Sequence, residues 1–378
     1  MPKYLAVLVV ASFGIAVSAY GASPLSFSGY YKNLLIDSKT VFPLERPYTL
    51  DLNRLRLELT GALTEALALD LQYDNEVLFG SYLRTEQFQI RKEQAPVQYW
   101  KLESTYADSS SYYAHHRLYR GAVTFSAGDA DLHLGRQRIA WGTGRFWSPL
   151  DILNPFSPVQ IEREERVGVD AALFEYKLGA LTRLGVVYAP QHTSGQSSSA
   201  FLWHDNRAGV DYSIIAGRFA RERIAGTDVA TQLGEAGLRA EFVQTQRDDG
   251  KQYARVLLGV DYAFANTLTL SGELYYNGAG AADRSAYDFA ALFSGKIQNV
   301  GRKYIGAYGS YELTPLFKWT NYLVINLGDR SSFFSPSFNY SLRSNLDLTF
   351  GAQWFRGATG AEYGRFNDAY YAQVQWFF

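Results

Sequence analysis

The sequence has no cysteine and a single methionine in 378 residues. Without thiols it can form no disulfide, bind no metal through thiolate and carry no c-type haem attached to this chain. It also lacks a charge excess, with 36 Lys and Arg against 37 Asp and Glu. A nucleic-acid binder would present a basic face, and no basic run is present. Beyond the N-terminus, no apolar run approaches the ~18 residues of a spanning helix. The abundant residues are 28 Tyr, 24 Phe, 7 Trp and 33 Gly, a balance that suits strands and tight turns better than a helical core.

Residues 1–22 read as a secretory signal. Lys3 supplies the positive start, Tyr4 to Val17 is apolar, and cleavage is expected after Ala19 or after Ala22. Residues 23–378 then form one domain. From about Ser26 the pattern has period two. Leu346, Leu348, Phe350, Ala352 and Trp354 alternate with Asp347, Thr349, Gly351 and Gln353. Ala254 to Phe264 and Leu268 to Tyr276 behave alike, so each segment has one apolar and one more polar face.

A soluble barrel and a membrane barrel both produce this pattern, but three features favour the membrane. Short connections (Leu63 to Ala66, Ala127 to Ala130, Ala265 to Asn266) alternate with long ones (Phe79 to Ser111, Thr143 to Arg166, Pro190 to Asn206, Ala279 to Val300). Outer-membrane barrels sort their loops in this way. An up-and-down count gives about sixteen antiparallel strands, from 26–35 to 366–378, with both termini on the short-turn, periplasmic side. Dividing residues 207–245 differently gives fourteen or eighteen. The third feature is the chain end, where Tyr370, Ala372, Val374, Trp376 and Phe378 alternate. This resembles the C-terminal strand signal of bacterial outer-membrane proteins, which implies recognition by the barrel assembly machinery. The expected fold is an all-β, transmembrane, antiparallel up-and-down β-barrel in a Gram-negative outer membrane.

If the apolar face meets lipid, charged residues such as Arg54, Arg56, Asp74, Arg239, Glu241, Asp261 and Glu273 point into the lumen, because an Arg or Lys at the lipid midplane would cost about 2–4 kcal/mol. Near Gly135 the pattern breaks, since Leu132 and Leu134 share a phase with Arg136 and Arg138. This predicts a bulge there or an early end to the span. Pro149, Pro155 and Pro158 then forbid regular pairing, and Glu162-Arg163-Glu164-Glu165-Arg166 follows as a dense charge cluster. A loop over 143–166 folded into the lumen would narrow it with Arg136, Arg138, Arg145, Asp151, Glu162, Glu164 and Arg166, facing Arg54 and Arg56; the other reading is an outer loop whose charges pair with one another at the rim. The stretch Gly135 to Pro158, with its Gly-Arg-Gln, Trp-Gly and Asn-Pro elements, resembles one in several poorly characterised porin-like families. That resemblance implies a porin-like protein and no particular substrate.

The expected function is passive diffusion of small hydrophilic solutes through a lumen of mixed charge. Partners would be outer-membrane lipid, the assembly machinery and the solutes, with a homo-oligomer or a partner protein as further options. The alternative is a barrel that sheathes or anchors another protein. An enzyme is not expected. His192-Thr193-Ser194-Gly195 superficially resembles the His-x-Ser of the outer-membrane phospholipase, but has Gly195 where that family has Asn. His115, His116 and Asp108 could imitate a rim protease. No metal or cofactor site is visible.

Overall fold

The computed structural model describes residues 25–93, 98–155, 157–162, 166, 168–293, 295 and 297–378. Among them lie nineteen strands in one antiparallel sheet. In chain order the first seven are β1 (Ser26–Lys39), β2 (Pro47–Thr64), β3 (Leu67–Phe79), β4 (Glu103–Asp108), β5 (Tyr112–Ala127), β6 (Ala130–Gln137) and β7 (Val169–Lys177). Then come β8 (Arg183–Ala189), β9 (Ser198–Arg207), β10 (Val210–Phe219), β11 (Glu222–Leu233), β12 (Ala236–Arg247) and β13 (Gln252–Ala263). The last six are β14 (Thr269–Asn277), β15 (Lys303–Thr314), β16 (Phe317–Asn326), β17 (Ser331–Arg343), β18 (Leu346–Arg356) and β19 (Ala369–Phe377). All but β4 form a closed ring in chain order. β19 returns to β1 from Tyr30 opposite Phe377 to Asp37 opposite Tyr370.

The ring therefore has eighteen strands, which corrects the count of about sixteen. Both additional strands fall between residues 198 and 247, where β9 to β12 occupy a stretch expected to hold two. β9 sits in a Ser-rich segment that resembled a loop. Its turn into β10 runs through Ala208 at φ 54° and Gly209 at φ 80°. The next turn passes through Ala220 at φ 50° and Arg221. Neither is a residue type that marks a turn, so β10 and β11 read as one strand.

The two faces are inverted relative to a soluble protein. On β13, Leu258 is 52% exposed beside Leu257 at 0%; on β14, Leu274 is 53% exposed beside Glu273 at 2%. Apolar side chains turned outward around a more polar interior are the mark of a membrane barrel. Every connection at the end holding both strand termini is short. The other end carries all the long connections, yet its turns at 220–221, 248–251 and 327–330 are short as well.

The break near Gly135 takes a specific form. β6 stops at Gln137, and its pairing with β5 runs without a register shift from Ala127–Ala130 to Gly121–Arg136. The bulge lies on the neighbouring strand instead, at Tyr119, between Gln72 paired with Arg120 and Tyr73 paired with Leu118. Beyond the point where β6 leaves, β4 pairs with β5 from Glu103–Arg117 to Asp108–Tyr113. The wall is thus completed by a strand borrowed from the 80–111 connection.

Candidate functional site

The chain that leaves β6 at Gln137 does not rise above the barrel. It crosses the interior, and two buried wall carboxylates hold it there. Glu241 on β12 accepts from Thr143 N at 2.6 Å, Gly144 N at 2.7 Å, Leu150 N at 3.2 Å and Ser148 Oγ at 3.0 Å. Glu273 on β14 accepts from Arg145 N at 2.6 Å and Phe146 N at 2.9 Å. A loop without regular pairing must find acceptors for its N–H groups, and these carboxylates supply them through charge-assisted bonds. The tight path requires glycine at 144, where a Cβ would fall on the Trp147 carbonyl.

Apolar packing adds to the hold. Trp147 stacks on Tyr275 with centroids 5.2 Å apart, and Phe146 meets Tyr322 edge-on. Both belong to a buried cluster with Leu257, Tyr304, Val324 and Phe333. Gly306 gives them room, since a Cβ there would press on the Phe146 ring. On the other side, Ile139 and Leu150 join a second cluster with Val187, Ile215 and Val243.

The loop returns along the far wall. Gln353 of β18 donates to the Val159 carbonyl at 2.9 Å. Glu162 then accepts from Lys32 of β1 at 3.0 Å and from Arg54 of β2 at 2.8 Å. Behind Arg54 a charge network continues along the wall. Glu76 pairs with Arg54, Arg117 and His115, while Asp74 pairs with Arg56 and Arg117. The Arg56 guanidinium lies 3.7 Å from the Tyr119 ring centroid. Burial alone would raise Glu162, but Arg54 and Lys32 outweigh it and hold its carboxyl below the ordinary range. Such buried pairs contribute little net stability after desolvation, whereas breaking one is costly. They fix where the loop can sit.

Two further candidates meet inside the loop. Asp151 accepts from Arg166 at 2.6 Å. Burial pushes Asp151 up to about 7, against the downward pull of Arg166. Arg145 reaches Asp261 on β13 at 2.9 Å and remains half exposed. Arg239 pairs with Asp261 and Glu273 beside it.

Of the residues singled out from sequence, Glu162 and Arg54 are in direct contact, as are Asp151 and Arg166. Arg138 is exposed, and Glu164 lies outside the described residues. Arg136 is taken up by the wall. It pairs with Asp170 at 2.9 Å and donates to the carbonyls of Leu118 and Trp100, while Trp100 N donates to Asp170. This clamp ties β6, β7 and the approach to β4 together where β6 ends. Asp108 pairs with Lys92 and His115 with Glu76, so the protease-like trio does not assemble. His192 stacks on Tyr99. At the chain end, Tyr370, Val374 and Trp376 face outward, and Phe378 exchanges two backbone hydrogen bonds with Gly29. Sequence reasoning placed Glu241 and Glu273 inside the barrel without giving them a role. The signal was the loop itself, whose Gly142-Thr143-Gly144 backbone needs acceptors.

A buried carboxylate also joins the long connections. Glu362 accepts from Tyr304 Oη at 2.7 Å, Asn326 Nδ2 at 2.8 Å and Val300 N at 3.3 Å. Burial pushes it up to about 7 despite those bonds. Its native form thus holds a proton that the unfolded carboxyl, with its ordinary value of 4.5, has released between about 4.5 and 7. Local stability should therefore fall as pH rises through that window. Amide exchange at Val300 and Tyr363 should be faster at pH 8 than at pH 5 after correction for intrinsic rates, and Glu362→Gln should remove the difference. Equal protection at both values in the native chain would refute this.

The fold and site define a class: a large outer-membrane-type β-barrel whose lumen is crossed by a loop anchored on opposite walls. No protein-family model and no curated protein matches the sequence. Solved structures with the same fold include Pseudomonas aeruginosa OccK5 (OpdH), at 10% identity and TM-score 0.60, covering 93% of this chain and 97% of that one. Acinetobacter baumannii OccAB4 aligns at 7% identity and TM-score 0.59, over 95% and 99% of the two chains. The outer membrane protein OprD from Pseudomonas aeruginosa aligns at 9% and 0.58, over 94% and 93%.

Proposed function

We propose that this protein is an outer-membrane channel for passive diffusion of small hydrophilic solutes, narrowed by the loop over residues 143–166. The observation that carries the reading is the tethering of one loop to β12 and β14 on one side and to β1, β2 and β18 on the other. A sheath around a partner protein needs an open lumen, and the crossing loop speaks against it. Arg54, Arg56, Arg138, Arg145, Asp151, Glu162 and Arg166 are the lining candidates, joined by Lys32, Arg117 and Asp261. Both signs are present and most of these charges are paired, which supports weak charge selection. The termini would lie in the periplasm, the long connections outside, and the final strand would serve the assembly machinery as its recognition signal. The test is single-channel recording of the refolded barrel in a planar bilayer. Discrete steps with a modest anion-to-cation preference are expected; a correctly folded barrel that gives no steps would sink the proposal.

A further inference from the structure

The outward face of the barrel carries a polar row with two opposed arginines, only one of which is answered by an acid. On β10, Ile214 and Ala216 are exposed and alternate with buried Ser213, Ile215 and Phe219, so Arg218 shares the outward phase. On β11, Ala225 is exposed between buried Ile224 and Asp228, so Arg223 is outward too. The register sets Arg218 directly opposite Arg223, Arg223 opposite Gln246, and Gln246 opposite Gln252. One polar row thus crosses four strands, with Ile214, Ala216, Phe242 and Leu258 on the strands below it.

Like charges directly opposed across a sheet are destabilising unless something answers them. Arg218 has an answer, Asp248 at 2.9 Å, in a pair whose members are both 43% exposed. The neighbouring acid Glu222 points the other way and accepts from Tyr253 Oη at 2.8 Å, and Asp249 is engaged with Arg247. Among the described residues, no acid lies within ion-pair distance of Arg223 or Arg221, and both are exposed. The turns at 220–221 and 248–251 are two of the shortest at this end, so no long connection rises from these strands to cover the row.

We propose that Arg221 and Arg223, with Arg218 beside them, bind a phosphate of a phosphorylated glycolipid in the outer leaflet, its acyl chains lying on Ile214, Ala216, Phe242 and Leu258. A guanidinium at a membrane interface takes phosphate through a planar fork of donors, and basic residues at that level recognise anionic headgroups. Charge complementarity and the apolar surface continuous with the row select that occupant. This inference rests on the orientation proposed above.

Native mass spectrometry of the detergent-solubilised protein, titrated with bisphosphorylated lipid A, tests it. The double variant Arg221→Ser/Arg223→Ser should bind lipid A about thirtyfold more weakly, from roughly fivefold per basic residue near a charged surface. Arg221→Lys/Arg223→Lys should retain most of the affinity, showing that charge and not folding was lost. Lipid A stripped of its phosphates should bind the native protein as weakly as the serine variant binds the intact lipid. Equal binding of stripped and intact lipid, or no loss in the serine variant, would overturn the site. Displacement by millimolar inorganic phosphate would make it a free-phosphate site, a preference for phosphatidylglycerol would place it in the other leaflet, and a lipid-free dimer would give the face to a second copy. Each of these also overturns the proposal. Conductance of the same preparation separates the two readings: normal channels without lipid A binding defeat only this site, whereas lipid A binding without channels defeats only the channel.

Discussion

Deleting residues 145–160 should raise the unit conductance several-fold. Eighteen strands spaced about 4.8 Å apart and tilted about 40° enclose a backbone cylinder of roughly 18 Å radius. Across that section runs a chain bearing Phe146, Trp147 and Leu150, all nearly inaccessible to solvent because they are pressed against the wall. Removing it returns the area to water and leaves Leu257, Tyr275 and Phe333 facing the lumen. The ring itself depends on its closed hydrogen-bond ladder, which the deletion leaves intact, and heat-modifiable migration in gels would confirm that the barrel has formed. An unchanged conductance in a folded deletion variant would mean that the loop does not set the narrowest section.

The second large effect is expected from one wall residue. Glu241→Ala removes the acceptor of three loop N–H groups and the Ser148 hydroxyl. A buried donor left unsatisfied costs about 1–3 kcal/mol, so a local loss of about 3 kcal/mol is a restrained expectation. Amide exchange at Thr143, Gly144 and Leu150 should then accelerate about a hundredfold if the loop opens as a unit, and current noise in the open channel should rise. Glu241→Gln keeps one oxygen but turns an NH2 toward donors, and should fall between the two. If exchange over 143–150 stays at its native rate in Glu241→Ala, the Trp147 and Phe146 packing alone holds the loop.

Alternation made the class of fold legible. Leu274 beside Glu273 can be sorted onto two faces by parity alone, and Phe378 with its alternating predecessors marks the end of the ring. The strand count failed where turn chemistry failed, because the Ala220-Arg221 turn takes Ala220 through the left-handed region without a residue that announces it. That the 143–166 segment could fold inward was legible from its prolines and charges, with an outer loop paired at the rim as the other reading. Its partners were not, because register around a ring depends on the number of intervening strands, and two of those were hidden. Arg136 looked like a lumen charge, although a wall clamp with Asp170 and the Trp100 carbonyl claims it. That clamp needs residues from three separated segments, and no local pattern reveals such a meeting.

The anchoring of the loop also constrains the order of events during biogenesis. Residues 143–150 are made before Glu241 and Glu273, the side chains that will hold them, so the loop must wait undocked while several further strands are laid down. The ring shuts only when β19 reaches β1. Glu162 finds Lys32 and Arg54 on strands made first, while Gln353 arrives on the penultimate strand. Only with the ring shut do both sets of anchors face one lumen. Closure of the β19–β1 seam brings the anchors on β12 and β14 and those on β1, β2 and β18 to their final spacing, so the complete set of contacts on the loop forms only with the ring.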